Sequence, residues 1–293
     1  MRRGWHLSAA RYRTQGKGRS AVIGVVSTLS ACPAAGKLSG MLLAGDHPLA
    51  KTATRAVQAG DLEGLRAVLE QHRGLANTVI GDLDPDGMSR SLLHAATDWP
   101  GHYPNNVAVV KLLVEYGADV NARFTGPHTE TPLHWAASSN DVDVLDALLD
   151  AGADIEATGA VIAGGTPIAD ATAFGCWDAA RRLVERGATT NLYQSANMGL
   201  LDRVSAFLNG PERPTPEDVT HAFWAACAGG QLAAAQLLST LGADVNWVST
   251  WDGLTPLEAA RRSRDEDAER DAAAQQTDRH FDAVVDWLQS LEP

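Results

Sequence analysis

Between residues 142 and 149 one apolar face is formed by Val142, Leu145, Leu148 and Leu149. That spacing lines one side of an α-helix and leaves the positions between for water. The stretch before it reads as a shorter helix. Thr131 is suited to cap it, Pro132 sits in a first turn that needs no backbone N–H, and Ala136 and Ala137 let a neighbouring helix come close. Asn140-Asp141 predicts the turn between the two, and Gly152 a left-handed stop after the second. Similar patterning predicts helices over 53–59 and 62–72, one beginning near Leu192, and one over 281–291. No such helix pair buries its own apolar face, so the pairs must stack.

The chain repeats itself. Thr131-Pro132-Leu133-His134-Trp135-Ala136 recurs as Thr166-Pro167-Ile168-Ala169-Asp170-Ala171 and as Thr255-Pro256-Leu257-Glu258-Ala259-Ala260, with a degenerate copy from Ser91 to Ala96. A second motif, Gly117-Ala118-Asp119-Val120-Asn121, returns at Gly152, Gly187 and Gly242. Both motifs, at this separation within one unit, resemble those of the ankyrin-repeat family over about residues 48–291. The resemblance implies an all-α solenoid of about seven stacked helix-turn-helix units with β-hairpin-like loops. The units begin near residues 48, 89, 124, 159, 191, 216 and 249. The fifth has no room for a hairpin between Thr190 and Leu192.

Two departures from the family pattern stand out. In the family the motif histidine hydrogen-bonds across neighbouring loops. Here it is present at His94 and His134, while Ala169, Trp224 and Glu258 take its place elsewhere, so the loops there are expected to be looser. The second unit also carries five extra residues within 99–106, between its helices: His94 to Gly117 spans 23 positions, against 18 from His134 to Gly152.

Charge divides the chain. Of 293 residues with a net charge of −12, residues 1–46 hold seven basic side chains and one acid, a net of +6, which leaves −18 on the rest. A body that acidic repels phosphate backbones, so nucleic acid is not the expected partner. Residues 1–46 read as a basic leader or extension and 47–293 as the repeat domain. Within the leader, Leu29-Ser30-Ala31-Cys32 follows a weakly apolar run and resembles a bacterial lipoprotein signal, which would place the chain on a membrane through a lipidated Cys32. The alternatives are a disordered extension, or a true start nearer Met41. The run from Ser20 to Gly36 is too short and too polar for a membrane span. Cys32, Cys176 and Cys227 form no disulfide framework. Reduced thiols fit the cytoplasm, the expected location.

No catalytic, cofactor-binding or metal-binding residue is expected. His94, Asp98 and His102 fall at helical spacing, but Pro100-Gly101 would break a shared helix, and His94 matches the structural motif. Asp82 to Gly87 opens like a calcium loop yet places Leu93 where the closing acid belongs. The expected function is a non-catalytic scaffold that binds a protein partner through a concave face and hairpin loops. The resemblance puts the residues closing each first helix on that face. Trp99, His102, Tyr103, Ser138, Ser139, Phe174, Asn197 and Met198 are therefore the expected contact residues, large apolar groups with a polar rim; the alternative is that Phe174 and Met198 pack under the loop of Trp99 to Asn106 or into the abbreviated fifth unit. An exported, lipid-anchored protein binding an envelope protein, and an enzyme or metal protein using the 99–106 loop, stand as alternatives.

Overall fold

The computed structural model describes residues 41–291 except 85 and 271–279. The proposed lipidation box, with Cys32, lies outside the described residues. Fourteen α-helices follow one another among the described residues. They pair as α1 (Pro48–Ala59) with α2 (Leu62–Gln71), α3 (Leu92–Thr97) with α4 (Asn106–Glu115), α5 (Pro132–Ser138) with α6 (Val142–Asp150), and α7 (Pro167–Ala173) with α8 (Trp177–Glu185). The pairs continue as α9 (Leu192–Asn197) with α10 (Leu201–Asn209), α11 (Pro216–Ala228) with α12 (Leu232–Ser239), and α13 (Pro256–Arg270) with α14 (Phe281–Ser290). The result is an all-α stack of seven helix-turn-helix units. Each odd-numbered helix packs on the next odd-numbered one from α1 to α13, forming a row of first helices. The second helices pack likewise from α2 to α8 and again from α10 to α14.

Local chemistry sets the helix ends. Pro48 opens α1 five residues before the expected start at Ala53, because His47 Nδ1 accepts the Leu49 N–H at 3.1 Å and caps it. Asp61 and Asp141 cap α2 and α6 through the backbone N–H groups of Gly64 and Val144. Gly117, Gly152, Gly187 and Gly242 each take a positive φ just past a second helix, the left-handed stop that the repeated Gly-Ala pair predicts.

The folded body begins earlier than the boundary at residue 46 implies. Strand β1 (Leu42–Ala44) pairs in parallel with β2 (Val79–Gly81), which pairs antiparallel with β3 (Ser89–Arg90). The Val79 N–H donates to the Met41 carbonyl, and the Gly45 N–H to that of Gly81. Residues 41–45 thus give the first unit an edge partner, and strand backbone that is paired need not be left to water. Further along, the hairpin-like loops close through a few backbone bonds, such as Phe124 N–H to Glu130 and Ala160 N–H to Gly165, without regular strands.

Two main hydrophobic cores fill the stack. One runs from Leu49 to Ala188 through the first four units, the other from Leu192 to Leu288 through the last three. They meet where the fifth unit lacks its hairpin. Met198 of the fifth unit packs back onto the first core.

Candidate binding face of the first helices

The motif histidines are cross-loop tethers. His134 Nε2 lies 3.3 Å from the carbonyl of Gly165, in the next unit's loop, and Nδ1 lies 3.1 Å from the Thr131 nitrogen. A carbonyl only accepts, so Nε2 carries the proton and Nδ1 accepts the Thr131 N–H. His94 repeats this with Ser91 and the Glu130 carbonyl. Burial holds both imidazoles neutral, pushing their pKa from 6.5 down to about 4.

The expectation of looser loops where the histidine is missing needs correction at Trp224. Its indole Nε1–H donates to the Leu254 carbonyl at 3.0 Å. Leu254 directly precedes Thr255, just as Glu130 and Gly165 precede Thr131 and Thr166. A longer side chain therefore restores the same bond from a different helix position. The N-cap role passes to Asp218, whose carboxylate accepts the Thr215 N–H and hydroxyl. Glu258 does the same for Thr255.

The extra residues of the second unit form a strap across three units. Asn105 Nδ2 donates to the Gly60 carbonyl, and Gln58 Nε2 reaches the Tyr103 hydroxyl at 3.5 Å. On the other side the His102 N–H donates to Asp141 Oδ2 at 2.8 Å, and Asn106 Nδ2 reaches the same oxygen at 3.3 Å. Gly101, at φ 71°, has to be glycine, since a Cβ would lie 2.9 Å from that of Ser139. Upon this pinned backbone Trp99 stands 66% exposed, the most exposed large apolar side chain of the described residues. The His102 side chain is also exposed.

The remaining expected contact residues are not alike. Tyr103 is half-buried. Ser138 and Ser139 are half-buried, their hydroxyls donating to the carbonyls of Trp135 and Thr97. Phe174 and Met198 are half-buried against the first core. Asn197 is buried, and its amide donates to the Ala225 carbonyl. The placing of Asn197 on a contact rim is corrected by Gly229. Without a Cβ there, α11 comes down on the Asn197 backbone, and a Cβ would lie 2.0 Å from the Asn197 carbonyl oxygen.

His94, Asp98 and His102 do not form a metal site. His94 is spent on its tether, Asp98 pairs with Arg90, and no group of three His, Cys, Asp or Glu among the described residues is arranged to hold a metal ion.

Residues 92–149 match the model of the family described as ankyrin repeats, in many copies. This chain carries ankyrin repeats over those residues. Similar curated proteins include Palmitoyltransferase AKR1 of Candida albicans, 38% identical over 76 residues, 25% of this chain and 8% of that protein. Another is Protein fem-1 homolog C of Homo sapiens, 35% identical over 108 residues, 33% of this chain and 17% of that protein. The chain thus spans less than a fifth of the length of these curated relatives. Among solved structures, the human ASB11 ankyrin repeat domain aligns with 84% of this chain and 98% of its own at 22% identity, with a TM-score of 0.48.

Two further features of the ankyrin stack escaped the sequence reading. Tyr193, His221, Trp224, Trp247 and Trp251, from the last three units, form one aromatic cluster with neighbouring ring centroids 4.6–6.2 Å apart. Trp247 and Trp251 are half-buried, and Val248 beside them is 52% exposed. The other feature is a cleft of about 570 Å³ between α1, the first hairpin and α5, with Lys51, Arg55 and Arg90 around Met88, Phe124 and Trp135. A local signal existed for each, the Trp-x-x-x-Trp spacing at 247 and 251 and the i, i+4 spacing of Lys51 and Arg55. Neither shows in one dimension what lies opposite.

Proposed function

We propose that this ankyrin-repeat protein is a non-catalytic scaffold that holds a partner protein on the face formed by its first helices and hairpin loops. The observation that carries this reading is Trp99. The strap that carries it is tied to the first and third units by four hydrogen bonds, from Asn105 to Gly60, from Gln58 to Tyr103, and from the His102 N–H and Asn106 to Asp141, while its indole stands in solvent. An exposed aromatic on a pre-ordered loop loses little entropy on binding, which suits an interaction hot spot. His102 and Tyr103 flank it on the same strap.

The palmitoyltransferase and fem-1 likenesses carry no activity across, because they involve small fractions of those proteins. The two described cysteines, Cys176 and Cys227, are buried and not joined in a disulfide, which supports a reducing compartment such as the cytoplasm. Among the described residues no helix is long and apolar enough to cross a membrane. The acidic body disfavours nucleic acid.

Affinity capture from the native cell with the full chain, run in parallel with Trp99→Ser, tests the scaffold. The expected result is a protein retained by the parent and lost from the variant at unchanged melting temperature. Equal capture by both would remove Trp99 from the contact. Intact-mass measurement of the native protein decides the anchored alternative, since a mature form beginning at a lipidated Cys32 would place the scaffold on a membrane.

A further inference from the structure

The geometry points to the cleft between α1, the first hairpin and α5 as a binding site for an extended acidic segment of a partner protein, a carboxylate side chain beside a large apolar one. The inference rests on the scaffold reading and names the chemistry of its partner.

The cationic side is α1. Lys51 and Arg55 lie one turn apart on it, both exposed, and neither makes an ion pair among the described residues. The apolar side is built from other units. Phe124 and Trp135 pack with ring centroids 5.4 Å apart, and Met88 extends beside them at 54% exposure. Arg90 lies over the Trp135 ring and is held by Asp98, so it stiffens the floor. The acid on the rim, Asp82, is engaged by the Met88 N–H.

Charge chooses the occupant. A partner carboxylate would find two unpaired cations at one end and an apolar floor to receive its neighbour, giving both a charge-assisted contact and buried area. A basic segment would meet like charge there, despite the acidity of the rest of the body. The chain's own residues 1–40 carry seven basic side chains and no acid, so they are excluded as the occupant by the same argument. Strand-like pairing does not drive the binding, because Ser89 already exchanges backbone bonds with Thr125. Side chains supply the specificity.

Panning a phage library of random peptides against the full chain tests this, with Lys51→Glu/Arg55→Glu and Met88→Ser chains in parallel. All three substitutions are at exposed positions, and circular dichroism confirms that the variants fold. Enriched peptides are expected to pair Asp or Glu with a neighbouring Leu, Met, Phe or Trp. Their affinity should fall about tenfold or more in the charge-reversed variant. In Met88→Ser the acidic preference should persist while the apolar one weakens. Peptides without acidic bias, or acidic peptides indifferent to the charge reversal, overturn the cleft assignment and leave the scaffold standing. So does a panning that enriches nothing while affinity capture still yields a partner. Failure of both would end the scaffold reading as well.

Discussion

The two halves of the stack solve one problem with different chemistry. Each must tie a first helix to the loop of the next unit. In the first half the tether is a neutral histidine, His94 to the Glu130 carbonyl and His134 to that of Gly165. In the second half it is the Trp224 indole, bonded to the Leu254 carbonyl. The bonds are alike in geometry and differ in what can undo them. An imidazole takes up a proton, and an indole does not. The first half is therefore built to lose its ties in mild acid, and the second is not.

The largest expected effect breaks the junction between the fifth and sixth units. Gly229→Ala drives a Cβ into the Asn197 backbone, which has no flexible end to give way. Destabilisation of about 3 kcal/mol is expected, the upper part of the usual overpacking range. Hydrogen exchange should show it in α9 to α11 and leave α3 to α6 protected. Equal loosening of both halves would mean that the two cores unfold as one.

Next comes the tether itself. His134→Ala leaves the buried Thr131 N–H and Gly165 carbonyl without their partner and is expected to cost about 1–3 kcal/mol. Trp224→Phe keeps most of the bulk and removes one donor, so a smaller loss, about 1 kcal/mol, is expected. Urea melts of the two variants settle the order. A larger loss at Trp224 would make the tryptophan tether the stronger.

Acid sharpens the contrast. His94 and His134 titrate at about 4 when folded against an ordinary 6.5, because burial disfavours the charged ring. The unfolded chain thus binds protons first as pH falls, so the histidines' contribution is complete above pH 6.5 and is lost on the way down to about 4. Asp218 and Glu258, whose carboxylates are held below their ordinary range by bonds from Thr215 and Thr255, begin to cost stability only as pH falls below their ordinary values of 3.8 and 4.5. Between pH 6.5 and 4, exchange should quicken in α3 to α6 before α11 to α13. A His94→Gln/His134→Gln chain should lose most of that pH dependence.

Asp170 runs the other way. It is buried, accepts the Ile162 N–H, and titrates at about 7 instead of 3.8, first because of desolvation and then because of nearby Glu130. A raised folded value means stability that is complete below pH 3.8 and is lost as pH rises through 7. Asp170→Asn keeps an acceptor for Ile162 without the buried charge. It should stabilise by about 1 kcal/mol at pH 8 and by nothing near pH 3.5. A constant difference across that range would show that the carboxyl does not titrate in the fold.

The smallest effect separates contact from core. Trp99→Ser should leave the melting temperature within error, since the ring is exposed. Phe174→Ser should lower it by a few degrees, because that ring is half-buried on the first core and removes apolar contact with it.

Much of this architecture was legible in one dimension. The spacing of Val142, Leu145 and Leu148, the Thr-Pro starts and the Gly-Ala ends are local rules. Each helix obeys them within a few residues of its own sequence, so seven units could be counted without a structure. The role of His134 was legible through the family pattern for the same reason. The strap is half-visible: its extra length shows in the sequence, but the bond from the His102 N–H to Asp141 does not.

What only the tertiary structure decided are the contacts between residues far apart in the chain. Asn197 reads as a polar rim residue until Gly229, 32 positions on, is seen to bring a helix onto it. Trp224 reads as a lost histidine until its indole reaches Leu254. Met41 to Ala44 read as the end of a leader until Val79 to Gly81 provide a strand to pair with. Lys51 and Arg55 on α1 become one side of a cleft only when the first hairpin and α5 close it. Periodicity along a chain records which face of an element avoids water, and it is stacking that determines what each face meets.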